Sequence, residues 1–217
     1  MKRISLAILL ILLIPSILQA EEHNPSRLHM GFIVGGGLSY IGTLGETPRW
    51  EPESLGYFAP CVTYYTPTGL AIRAEIAKLN RSSTMMDDTY YYQIREISSS
   101  SMHTPVTVLY PISKDDSLNR FYIGAGLYLD TIIKARLYAE HDVHEIIRES
   151  IRDEYGPVAY GASLQLGVGL SKSFYLELRY LMDLSSFSAE KIAEYDLRTQ
   201  SLMLRIGWDL TKYDLEH

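Results

Sequence analysis

The chain has 217 residues, 47% of them apolar and 21% charged, with a formal net charge of −6 and one cysteine. Those values exclude a disordered tail, a collagen-like repeat and a disulfide-stapled miniprotein, and they leave room for one domain of ordinary size. An acidic chain also lacks the basic footprint of a nucleic-acid binder, so no such partner is expected.

Residues 1–20 come first. Met1-Lys2-Arg3 precedes an apolar run from Ile4 to Ile14, followed by Pro15 and a close at Leu18-Gln19-Ala20. This order makes a cleavable secretory signal peptide, and the apolar run is too short to cross a bilayer as a helix. Cleavage removes Lys2 and Arg3, takes the net charge to −8, and leaves residues 21–27 as a periplasmic N-terminal segment. Cys61 is then the only cysteine, so no internal disulfide is available to the exported chain.

Period-two alternation follows eight times, over residues 28–41, 54–66, 69–82, 101–112, 120–138, 157–171, 173–186 and 199–211. The connections at 66–69, 113–119 and 171–173 are short, whereas those near 42–53, 83–100, 139–156 and 187–198 are long and polar. Strict alternation of long and short describes an up-and-down meander with two unlike rims.

One face of these segments is uncharged and apolar. It runs through Met30, Phe32, Val34 and Leu38, then Phe58, Val62, Ile72 and Ile76, and on to Val106, Ile123, Leu127, Leu164, Leu178, Leu204 and Trp208. The other face is small, polar or charged, with Gly31, Gly35, Cys61, Thr63, Thr107, Gly124, Gly161, Gln165 and Gly207, and all eight strands fit one register without a slip. A water-facing sheet has little use for so many glycines, which weaken strands. The interior of a small closed barrel needs them, because large side chains must share it with small ones. The sequence therefore predicts an all-β, eight-stranded antiparallel transmembrane barrel over 28–211, apolar face outward, with a C-terminal tail at 212–217.

Nine charged residues alternate onto the inner face: Arg73, Glu75, Asp130, Lys134, Glu177, Arg179, Asp183, Arg205 and Asp209. Unpaired charges in so narrow a space would be costly, so a salt-bridged plug is expected, with Glu177 to Arg205 or Arg179 to Asp209 as natural pairs. The same carboxylates could in principle do acid and base work, but ion pairing is the commoner cause of such clusters. Three further stretches carry reactive residue types. His141 to Glu145 lacks the spacing of a known zinc site. Ser98 to Ser101 with His103 lacks an identifiable ordering acid. Gly35-Gly36-Gly37 and Gly124-Ala125-Gly126 fall mid-strand and complete no dinucleotide fingerprint. Neither a metal nor a cofactor is expected.

Seventeen tyrosines against five phenylalanines is the one unusual entry in the composition. Tyr64, Tyr65, Tyr110, Phe121, Tyr122, Phe174, Tyr175 and Trp208 gather at the short-turn ends, and Tyr40, Tyr57, Phe58, Tyr128 and Tyr160 toward the long-loop ends. Two aromatic girdles, one at each membrane interface, would place them so.

With Phe121 to Gly126, Gly161 to Gly169, Tyr175 to Tyr180 and Ser201 to Trp208 in this pattern, the chain resembles the small outer-membrane β-barrels of Gram-negative bacteria, the outer membrane protein β-barrel domain of PorT-like and OmpX-like proteins. The resemblance implies a barrel with periplasmic termini, inserted by the barrel assembly machinery, with no catalytic residues to carry over. It departs from such chains in following Leu210 with a charged tail instead of ending on an aromatic residue. The expectation is a monomeric, non-enzymatic protein of the Gram-negative outer membrane, in contact with its lipid, in a structural, adhesive or envelope-interaction role. The alternatives are a lipid-modifying outer-membrane enzyme and a soluble periplasmic lipocalin-like carrier.

Overall fold

The structure, a computed structural model, describes residues 28–43, 50–66, 69–85, 92–112, 121–141, 146–150, 157–171, 173–185 and 197–211. The signal peptide, the 21–27 segment, the 212–217 tail and most of His141 to Glu145 lie outside those residues. The described chain is all strand: β1 Leu28–Thr43, β2 Trp50–Tyr65, β3 Ala71–Glu75, β4 Ala77–Met85, β5 Tyr92–Pro111, β6 Phe121–His141, β7 Ile146–Ser150, β8 Val158–Gly169, β9 Phe174–Asp183 and β10 Leu197–Asp209.

These ten strands fill eight barrel positions. Each position pairs antiparallel with the positions before and after it, and β1 meets β10, with Gly31 opposite Asp209 and Thr43 opposite Leu197, which closes the sheet. Strands β3 and β4 are two halves of the third position. They part at Ile76, opposite Pro60 of β2: Ile76 N–H donates to the Pro60 carbonyl at 3.2 Å, but a proline has no N–H to return. Strands β7 and β8 share the sixth position, both pairing with β6.

Two turns at one end are closed by backbone bonds between nearby residues. Thr66 N–H donates to the Leu70 carbonyl at 2.8 Å across the first, where Gly69 has φ +86°, a conformation that only glycine adopts without strain. Leu170 N–H donates to the Phe174 carbonyl at 2.8 Å across the other.

Alternation sorts the side chains as the pattern predicts along most of each strand. Phe58, Leu127, Leu164, Leu166 and Leu204 are among the exposed apolar residues, while Arg179, Arg205, Asp130 and His103 are wholly buried. This is the reverse of a carrier, which keeps its apolar face inside.

Three expectations need correction. The inner face is not small or charged throughout: Ile33, Leu55, Leu79, Leu181 and Met203 also point inward and form an apolar cluster with Tyr57 and Tyr128. Nor does one register hold everywhere. On β6, Ile132 lies opposite Ser101 but Lys134 lies opposite Ser100, so Ile133 is an extra, bulged residue. Beyond it the parity inverts, and Lys134, expected in the lumen, is exposed on the outer wall while Ala135 turns inward. Finally, Tyr57, Tyr122, Tyr128 and Tyr175 do not belong to the girdles. Tyr57, Tyr122 and Tyr128 follow or precede an outward residue (Phe58, Phe121, Leu127), so the pleat turns them into the lumen.

Candidate functional site

The interior carries three charge groups, one above another from the short-turn mouth. At that mouth His29 Nδ1 lies 2.7 Å from Asp209 Oδ2, with the Tyr65 ring 4.6 Å from the imidazole.

The second group joins three arginines to two glutamates. Alternation along β3 aims Arg73 and Glu75 inward, along β9 Glu177 and Arg179, and along β10 Arg205. Arg179 donates to Glu75 through Nη2 at 2.6 Å and Nη1 at 3.3 Å, and Arg205 Nη1 donates to the same carboxylate at 2.8 Å. Glu177 accepts from Arg73 Nη1 at 2.5 Å, from Arg205 Nη2 and from the Tyr122 hydroxyl at 2.7 Å, while the Tyr57 hydroxyl donates to Glu75. Gln165 Oε1 completes the group by accepting from Arg179 Nε at 2.9 Å and Nη2 at 2.6 Å. Arg73 also lies 4.5 Å from the centre of the Tyr175 ring, a cation–π contact.

The third group, nearer the loops, holds one arginine, two aspartates and a histidine. Arg81 Nη1 donates to Asp130 at 2.8 Å and to Asp183 at 3.4 Å. His103 Nδ1 is 2.6 Å from Asp130, and the Tyr128 hydroxyl donates to Asp183 at 2.5 Å.

The third and seventh barrel positions lie diametrically opposite in a ring of eight. Arg73 to Glu177, Glu75 to Arg179 and Arg81 to Asp183 all join those two positions, so the lumen is spanned across its full width at successive levels. Glycines make room for this. Tyr122 lies opposite Gly167, Tyr128 opposite Gly161 and Tyr175 opposite Gly207, and a methyl group at any of the three would run into the facing ring.

The residues expected in the lumen are therefore distributed as follows. Arg73, Glu75, Asp130, Glu177, Arg179, Asp183, Arg205 and Asp209 are buried inside, whereas Lys134 is outside. Glu177 pairs with Arg205, directly opposite it across β9 and β10. Arg179 does not pair with Asp209. It faces Met203, three inward steps from Asp209, and reaches across to Glu75 instead. Arg81, Tyr57, Tyr122 and Tyr128 were not foreseen as members. Arg81 was readable by continuing the alternation Arg73, Glu75, Ala77, Leu79 by one more step. Ser98 to Ser101 lie along β5, where Ser101 is buried inward and Ser99 and Ser100 are half-buried.

Residues 19–189 match the family described as outer membrane protein beta-barrel domain. The chain belongs to that family. As an outer-membrane β-barrel domain protein it lies in the Gram-negative outer membrane, which fits its lipid-facing apolar wall. No curated protein matches it in sequence. Among solved structures, the outer-membrane β-barrel domain of this chain is similar to Ail, the attachment invasion locus protein of Yersinia pestis (10% identity, covering 85% of this chain and 99% of that one, TM-score 0.48). It is also similar to Neisserial surface protein A (10% identity, 83% and 97%, TM-score 0.45) and to OprG from Pseudomonas aeruginosa (14% identity, 84% and 94%, TM-score 0.43).

Proposed function

We propose that this outer-membrane barrel is a non-conducting, non-catalytic monomer, set in membrane lipid by the barrel assembly machinery. Its braced interior would hold long outward extensions in place for structural or adhesive contact with the surroundings or with other envelope components. The observation that carries this reading is the full-width bracing between the third and seventh positions, which leaves the second and third charge groups filling the lumen.

The same bracing speaks against acid and base catalysis. Both oxygens of Glu75 and of Glu177 already accept from arginines, and a tyrosine donates to each carboxylate as well. The Asp130 and His103 pair is wholly buried in the lumen, shut off from the lipid-facing wall along which a lipid substrate would approach. Strand length supports a projecting role: β5 has 20 residues and β6 has 21, against roughly 9–11 needed to cross a bilayer at a tilt.

Planar-bilayer recording tests the reading. Protein whose heat-modifiable gel mobility shows a folded barrel should give no steady current. Large steady conductance from the same preparation would overturn it.

A further inference from the structure

Toward the short turns the outer wall of β3 to β6 is apolar, with Ile72 and Ile76, then Val106, Val108 and Tyr110, then Phe121, Ile123 and Leu127. Above that band three cations face outward and are exposed: Lys78 on β4, and Lys134 and Arg136 on β6. They are separated by the single strand β5. Lys78 lies opposite Met102, itself opposite Thr131; Asn80 lies opposite Ser100, itself opposite Lys134; and Ser98 lies opposite Arg136. With strands about 4.8 Å apart and a rise of about 3.3 Å per residue, the three positions span no more than roughly 16 Å. Between them Asn80, Ser98 and Ser100 offer an amide and two hydroxyls.

Within the lumen each arginine has a carboxylate partner, but among the described residues Lys78, Lys134 and Arg136 have none. The nearby acids are otherwise placed. Glu53 accepts from the Ser82 hydroxyl at 2.5 Å and from the Thr84 hydroxyl, and Glu96 lies a further outward-facing step toward the loops from Ser98. The bulge at Ile133 creates the patch, since unbroken alternation would carry both Lys134 and Arg136 into the lumen.

Height fixes what meets the patch. From Phe121 to Thr131, strand β6 climbs roughly 25 Å at a tilt of about 40°, the height of a lipid-facing band. Short turns face the periplasm in such barrels, so Lys134 and Arg136 stand at the outer-leaflet headgroups. We propose that this wall binds the phosphate groups of an anionic glycolipid of the outer leaflet, with Lys78, Lys134 and Arg136 as its cationic contacts. Arginine takes phosphate oxygens two at a time, and lysine reaches along its apolar stem to an interface. The occupant is a membrane lipid because the patch continues into the apolar wall, where acyl chains lie beside the phosphates they carry.

The test uses the full mature chain, folded in detergent with EDTA to remove bridging metal ions. Binding of bisphosphorylated lipid A is compared by native mass spectrometry with binding of the same lipid after dephosphorylation, and with inorganic phosphate alone. The wild type should prefer the phosphorylated lipid, Lys134→Ser should weaken that binding about fivefold, and Lys134→Arg should keep it. The combined Lys78→Ser, Lys134→Ser, Arg136→Ser variant, checked as folded by heat-modifiable mobility, should lose the preference. Equal binding of both lipids by the wild type, an undiminished preference in the triple variant, or saturation of the patch by inorganic phosphate would each overturn the proposal.

Discussion

The facing of tyrosine and glycine across a strand gap gives single glycines of this lumen unequal weight. A methyl group added at Gly161 meets the Tyr128 ring and the Met182 carbonyl, so Gly161→Ala must displace a ring whose hydroxyl is bonded to Asp183. We expect a loss of about 1–3 kcal/mol, the usual range for overfilling a packed interior. Gly56 on β2 is exposed with open space where a methyl group would go, and Gly56→Ala should be neutral or stabilise by a few tenths of a kcal/mol. Urea midpoints read from the folded band on unheated gels compare the two, and equal midpoints would contradict the pairing. The sequence indicated that inner glycines make room for large neighbours, but not which neighbours. Those are the lumenal tyrosines, which their places near the strand ends suggested for the membrane rims. In a pair such as Phe121-Tyr122 only one ring can face lipid, and the other must find a polar end for its hydroxyl inside.

Among the elements, β6 shows how one residue governs many. Because Ile133 is an extra residue, deleting it should leave a regular ladder with Ile132 and Ala135 still inward and Lys134 and Arg136 still outward, and the barrel should fold with little change in its urea midpoint. Deleting Ile133 and Lys134 together inverts the parity, turning Arg136 toward the lumen and Ala135 outward. The double deletion should sharply reduce the yield of heat-modifiable barrel, although it differs by one residue. Comparable yields would show that the bulge does not set the face. Strand limits were legible only where lipid lies on one side. Strand β2 begins at Trp50 and β5 at Tyr92, earlier than the apolar pattern suggests, and Ser98 to Ser101 belong to a continuous β5. Above the bilayer both faces meet water or polar groups, so the period-two signal fades while the ladder continues.

For the molecule as a whole, Glu75 ties its strand to three others, with contacts to Tyr57 on β2, Arg179 on β9 and Arg205 on β10. Glu75→Ala leaves two buried guanidinium groups without that carboxylate, and should cost about 3–5 kcal/mol of stability in urea titration. A loss below about 1 kcal/mol would show that Glu177 and Gln165 suffice on their own. Closure in eight positions was readable, because long and short connections alternate and every strand has an apolar side. The cross-lumen partners were not. Neighbour rules connect adjacent strands, which found Glu177 with Arg205, but nothing local indicates that β3 faces β9. Those partners are also far apart along the chain, with Arg179 and Glu75 separated by 104 residues and Arg81 and Asp183 by 102. No hairpin or half-finished sheet can bring them together, and contacts of such separation carry the full entropy of a long loop until the ring is complete. The braces must therefore form last, when β1 reaches β10. Until that moment the arginines and carboxylates keep their water, so the partly built barrel is an open, hydrated trough, and drying of its interior is the event that marks the end of assembly.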